Sequence, residues 1–148
     1  MLRNRRASHD YELLDRFEAG LELRGSEVKS LRQGGGSLAE AYVRVHDGQA
    51  FVEGMNIPIY QEASYNNHEP TRTRRLLLKK GEIAELAKGL ERRGLTVVPL
   101  RLYFKDGWAK LEIALARGRK QHDKRQEDAR KDAKREMERA MARGGRES

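Results

Sequence analysis

Residues 11–23 read Tyr11-Glu12-Leu13-Leu14-Asp15-Arg16-Phe17-Glu18-Ala19-Gly20-Leu21-Glu22-Leu23, and their alternation sets the fold class. Tyr11, Leu13, Phe17, Ala19, Leu21 and Leu23 share one parity, while Glu12, Arg16, Glu18 and Glu22 share the other. Successive side chains of a strand point to opposite faces, so period two predicts a half-buried β-strand. Such a strand is too long to stay straight in a small domain, and Gly20 is the expected bend or bulge.

Two hairpins are predicted farther along. Asp47-Gly48 lies between Tyr42–Val45 and Ala50–Val52, and Asp106-Gly107 between Val98–Phe104 and Trp108–Leu115. Asp-Gly supplies the positive φ angles that a tight two-residue turn demands. In the last strand Ala109, Leu111, Ile113 and Leu115 alternate with Lys110, Glu112 and Ala114. A short helix is expected at Ser26–Arg32, with Ser26 as N-cap and Gly34 closing its far end. Ile83, Leu86, Ala87 and Leu90 fall at i, i+3, i+4 and i+7, one apolar helix face, with Gly94 as its stop. Residues 56–70 read as a long loop, and Arg74–Leu78 returns the chain to the sheet. These elements predict a mainly β fold with helices, best matched by an OB-like β-barrel with two to three flanking helices. An open α+β sandwich is the alternative.

At 148 residues the chain has room for one domain plus a tail, divided here into 1–116 and 117–148. It carries a net charge of +8. From Arg117 onward there are 12 basic and 7 acidic residues, against 19 and 16 before it. This surplus points to a polyanion, with RNA or DNA ahead of an acidic membrane surface. No apolar stretch approaches the roughly 18 residues of a membrane span. The basic Met1–Arg6 is followed by no apolar run, so export is not expected and a cytoplasmic protein is. Cysteine is absent, which excludes disulfides and thiolate metal sites.

After Leu115 the only side chains larger than alanine that are apolar are Met137 and Met141. Such a segment buries too little apolar surface to offset its ordering entropy, so it is expected to be disordered when free. Its spacing is nonetheless helical. Ala129, Ala133, Met137 and Met141 recur every four residues, as do Lys131, Arg135, Arg139 and Arg143. A polyanionic surface would complete a helix that is marginal alone, giving folding on binding; a solvated charged extension that improves solubility is the alternative.

Chemistry is sparse. His9, His46, His68 and His122 lack metal-ligand spacing, and no nucleophile-elbow, zinc-protease or P-loop motif is present. Gly34-Gly35-Gly36-Ser37 follows a helix instead of opening one. No catalytic residue, metal or cofactor is expected; the rival readings are a ribosomal or rRNA-assembly protein with the same barrel-plus-tail plan and an enzyme such as a nuclease. Nucleic-acid features are stronger. Arg72, Arg74, Arg75, Lys79 and Lys80 run beside Asn66, Asn67 and His68, and Arg3, Arg5 and Arg6 precede His9 and Tyr11. Guanidinium groups match phosphates, and His or Tyr rings stack on exposed bases.

Taken in order, the local strings resemble one family. They are Asn4-Arg5-Arg6-Ala7-Ser8-His9-Asp10-Tyr11, Glu18-Ala19-Gly20-Leu21, and Gly25-Ser26-Glu27-Val28-Lys29-Ser30-Leu31-Arg32. Asn67-His68-Glu69-Pro70 follows with Arg72-Thr73-Arg74-Arg75-Leu76-Leu77-Leu78, then Val98-Pro99-Leu100, Tyr103-Phe104-Lys105 and Gly118-Arg119-Lys120-Gln121-His122-Asp123-Lys124-Arg125. Together they resemble the SmpB family, the SsrA (tmRNA)-binding proteins of bacterial ribosome rescue. The resemblance implies an OB-like barrel that binds the tRNA-like domain of tmRNA and delivers it to stalled ribosomes. The tail would enter the empty decoding centre and mRNA channel of the small ribosomal subunit. Arg5, His9, Tyr11, Glu27, Lys29, Asn67, His68, Arg72, Arg74, Arg75 and Lys79 would face tmRNA. Arg119, Lys120, His122, Asp123, Lys124, Arg125, Lys131, Arg135, Arg139 and Arg143 would contact the ribosome. Elongation factor and alanyl-tRNA synthetase would be met only indirectly, through tmRNA, and the protein itself would be a monomer without membrane contact. The sequence departs from the family at Arg119, where many members have lysine, and in a far tail that lacks an aromatic found in some relatives.

Overall fold

The structure, a computed structural model, describes residues 1–59 and 68–118. Along the chain these form β1 (Leu2–Arg3), α1 (Ala7–Asp10), β2 (Tyr11–Leu21), α2 (Gly25–Arg32) and β3 (Tyr42–His46). Then come β4 (Gln49–Glu53), β5 (Arg74–Leu77), α3 (Lys80–Glu91), β6 (Leu95–Lys105) and β7 (Trp108–Gly118).

All strand pairings are antiparallel, in the order β1-β6-β3-β4-β5-β2-β7, and β6 also pairs with β7. That last pairing closes β6, β3, β4, β5, β2 and β7 into a ring, the barrel expected from the alternating pattern. The long strands make closure possible. β2 pairs with β7 over most of its length and hands over to β5 at Gly20 and Leu21. β6 pairs with β7 from Leu95↔Arg117 to Lys105↔Trp108, and touches β3 at Val97 and β1 at Arg101 and Leu102.

Both hairpins form at the expected turns. Asp47 and Gly48 have φ of 50° and 71°, Asp106 and Gly107 of 52° and 81°, so each two-residue loop twists with its strands. The interior is filled by Leu31, Leu38, Val52, Met55, Leu86 and Leu111 among others, with α2 and α3 each contributing one buried leucine to it.

Four expectations are corrected. β2 ends at Leu21, not Leu23, because Glu22 and Leu23 already lead into α2. Its bulge lies between Leu13 and Arg16, not at Gly20. Gly20 instead lets β5 come close, since a Cβ there would lie 3.1 Å from Leu77 Cβ. Ser26 does not cap α2. The cap position is Arg24, whose backbone N–H donates to Glu27 Oε1 at 2.7 Å. Finally, β7 continues to Gly118, so Arg117, expected in the tail, is a strand residue paired with Glu12 and Leu95. Residues 119–148, with all the expectations for the tail, lie outside the described residues, as does Asn67. No helix among the described residues is long and apolar enough to cross a membrane.

Candidate nucleic-acid interface

The basic run near residue 74 is split by strand alternation. In β5, Arg74 and Leu76 point inward while Arg75 and Leu77 point out. An arginine sent into a barrel needs a counter-charge, and α2 provides it. Glu27, in the first turn of α2, turns its carboxylate toward β5. Oε1 accepts from Arg72 Nη2 at 2.5 Å, and Oε2 accepts from Arg72 Nε at 3.1 Å and Arg74 Nε at 2.5 Å. Arg74 spends its remaining nitrogens on the carbonyls of Met55 (2.7 Å), Arg72 (3.1 Å) and Pro70 (3.0 Å). The node ties α2, the turn after β4 and the entry to β5 together.

Both the Glu27 and Arg74 side chains are 0% exposed, and that of Arg72 is 21% exposed. Burial alone would push the Glu27 carboxyl up. Hydrogen bonds from Arg72, the Arg24 N–H and Arg74 outweigh it and hold the group below its ordinary value. Burial draws the Arg74 guanidinium down, opposed by Glu27.

His68 is buried too. Its Nε2 donates to the Ile57 carbonyl, an acceptor only, at 2.8 Å, and Nδ1 shares a 2.9 Å hydrogen bond with Ser26 Oγ. Glu27, His68 and Arg74, expected to face RNA, lie buried beneath the surface in this structure and tie its segments together. The sequence signal was the two-residue period through Arg74-Arg75-Leu76-Leu77, which a reading of the run as one basic cluster overlooks.

The other expected residues are accessible. Arg5, His9, Lys29, Arg75 and Lys79 are exposed, and Tyr11 is half-buried where β2 starts, opposite Gly118. His9 Nδ1 lies 3.0 Å from Asp10 Oδ1.

A surface absent from those expectations covers the outer face of β2, β7 and β6. Cross-strand pairing sets Lys105 beside Trp108, Tyr103 beside Lys110, and Arg101 beside Glu112. Trp108 is 71% exposed and Leu77 51%. With Leu23, Val28, Phe104 and Lys110 they line an apolar groove. At its margin the Tyr103 hydroxyl donates to the Glu18 carboxylate, and Lys105 Nζ lies 3.9 Å from Glu18. The Arg101 guanidinium stacks 4.8 Å above the Tyr103 ring. Burial, then the Glu18 contact, pushes the Tyr103 phenol up to about 12. The same hydrogen bond lowers the Glu18 carboxyl.

An exposed indole beside lysines offers an unpaired base a stacking platform and its phosphate a cation. The signal was available in the sequence: Trp108 shares the parity of Lys110 and Glu112, the polar side of β7. Among the described residues, no cluster of three or more His, Asp or Glu could hold a metal.

Comparison with known proteins gives one answer. The family model described as SmpB protein matches residues 1–143. The SsrA-binding protein of Deinococcus radiodurans is 59% identical over 126 residues, covering 85% of this chain and 88% of that one. The SsrA-binding protein of Salinispora tropica is 51% identical over 143 residues, covering 97% and 90%. A chain in the solved structure "tmRNA-SmpB: a journey to the center of the bacterial ribosome" is 47% identical with a TM-score of 0.68, over 80% of this chain and 84% of that one. On a match that runs nearly end to end, this chain belongs to the SmpB protein family.

Proposed function

We propose that this protein is the tmRNA-binding adaptor of trans-translation and performs no chemistry of its own. It binds the tRNA-like domain of tmRNA (SsrA RNA) and delivers it to stalled ribosomes in the cytoplasm. The observation that carries the RNA-binding part is Trp108, a largely exposed indole on a face bearing Lys105, Lys110 and Arg101. Such a surface stacks bases and attracts phosphates without enclosing a small substrate. The names of the relatives support SsrA RNA as the partner.

In this reading Arg5, His9, Tyr11, Lys29, Asn67, Arg72, Arg75 and Lys79 extend the RNA-facing surface. Glu27, His68 and Arg74 position it from below. Residues 119–148 probe the decoding centre and the empty mRNA channel through His122 and its neighbours and through Lys131, Arg135, Arg139 and Arg143. Elongation factor and alanyl-tRNA synthetase meet the complex through tmRNA.

The test is binding of the purified chain to a transcript of the tRNA-like end of SsrA RNA, against random RNA of equal length. A clear preference for the tRNA-shaped ligand is expected, and equal affinity would overturn the reading. Cleavage of labelled RNA in the presence of divalent metal would instead favour the nuclease rival.

A further inference from the structure

Next to the β2–β7–β6 face, the N-terminal segment borders a second groove. It is lined by Arg3, Arg5, Arg16 and Arg101, with one carboxylate, Glu112, over an apolar floor that includes Leu13. Of these, Arg5 and Arg101 belong to the surface assigned above, and Arg3 and Arg16 are new to it.

Three features show how the groove is built. Two β-bulges border it, between Leu13 and Arg16 in β2 and between Pro99 and Arg101 in β6. A bulge re-aims side chains, and here both are arginines. Asn4 then fastens the N-terminal segment to the second bulge, its backbone N–H donating to Leu100 O at 2.8 Å and its Nδ2 to Pro99 O at 3.0 Å. Arg3 is thereby placed opposite Arg101 in the β1–β6 pair. Two like charges facing each other across a pair destabilise it, so this placement needs a reason other than stability.

The charges do not cancel. Glu112 Oε1 lies 3.7 Å from Arg16 Nη1 and its Oε2 3.5 Å from Arg101 Nη2. These contacts exceed the usual N–H···O hydrogen-bond length, and exposed pairs of this kind hold weakly. The Arg16 and Arg101 side chains are 59% and 49% exposed, so their N–H forks remain accessible. A phosphodiester has the charge and the acceptor geometry to take two such forks at once.

We infer that this groove is a phosphate-binding subsite for an RNA backbone, with Arg3, Arg5, Arg16 and Arg101 as donors and Glu112 as a resident counter-charge that the phosphate displaces. The inference rests on the RNA-binding reading and adds a backbone contact apart from the stacking surface at Trp108.

The test uses the full-length chain and a fluorescently labelled transcript of the tRNA-like end of SsrA RNA, with anisotropy followed across a range of KCl concentrations. Replacing both Arg16→Ala and Arg101→Ala weakens binding and makes the plot of log K against log salt shallower by about 1 per lost phosphate contact. Arg44→Ala, a half-buried charge on β3 paired with Glu53 at 3.1 Å and away from the groove, leaves the slope unchanged. Glu112→Gln tightens binding, because the competing charge is gone. Thermal melts of each variant confirm an intact fold. If the double variant keeps the wild-type slope and affinity while Trp108→Ala weakens binding, the groove is no phosphate site and the RNA-binding reading stands. If the wild-type chain binds no RNA, both fall.

Discussion

Arg74 Nε lies 2.5 Å from Glu27 Oε2, and neither side chain has any exposed surface. The two residues are 47 positions apart, one on a helix and one on a strand, and every nitrogen of the Arg74 guanidinium has an acceptor. Removing one partner leaves the other charged group buried without compensation. Glu27→Ala should therefore lower the unfolding free energy by about 3–5 kcal/mol. Arg75→Ala, one residue from Arg74 but facing outward, should change it by about 0.5 kcal/mol or less. Urea denaturation of the two variants checks this, and equal losses would remove the structural role given to the node.

Acid should weaken the same node. The carboxyl of Glu27 is held below its ordinary value of 4.5 in the folded protein, so the unfolded chain takes up a proton first as pH falls. A depressed folded pKa gives stability that is complete above the unfolded value and fades as pH drops through the folded one. Melting temperature should fall between about pH 6 and pH 3. Glu27→Gln, already less stable at neutral pH, should show a shallower fall, with Glu18 and Glu53, whose carboxyls are also lowered, supplying the remainder. Parallel pH profiles would rule out Glu27 as a source.

Trp108→Ala should leave the melting temperature nearly unchanged, since 71% of the residue is exposed. It should cost about 1–3 kcal/mol in RNA affinity through the lost base stack. Because it is the only tryptophan in the chain, its emission reports directly on binding. Fluorescence unaltered by saturating RNA would argue against stacking there.

Gly20→Val should strain the handover of β2 from β7 to β5. A Cβ at Gly20 would already lie 3.1 Å from Leu77 Cβ, and the branch adds bulk on that side. A destabilisation of about 1–3 kcal/mol is expected, read by thermal or chemical denaturation. Wild-type stability would mean the strands part there easily.

Ending the chain after Gly118 should preserve binding to the tRNA-like RNA and abolish tagging of peptides on stalled ribosomes. Binding is read by anisotropy and tagging by a reconstituted translation reaction. Loss of the RNA binding itself would contradict the division of roles between the barrel and residues 119–148.

The barrel was legible because its signals are local. Alternation in Tyr11–Leu21 and in Ala109–Leu115, and an Asp-Gly pair at each hairpin, report strand and turn without knowledge of the partners. The node was hidden because it depends on residues far apart in sequence: nothing near Glu27 announces that Arg72 and Arg74 will arrive beside it. The bulge at Leu13/Arg16 escaped for the same reason, since Gly20 shows its backbone freedom in the sequence while a bulge depends on the register of a neighbouring strand. Trp108 was a different omission. Its parity places it on the polar side of a strand, but an aromatic carries none of the charge that marks a basic cluster.

The buried ion pair also bears on how genetics would map this molecule. A screen for lost RNA recognition should return Glu27 and Arg74 next to Trp108, although the side chains of the first two have no exposed surface. Suppressors should tell the classes apart. A compensating change that firms up the barrel elsewhere rescues a Glu27 or Arg74 defect, and no such change restores a missing indole.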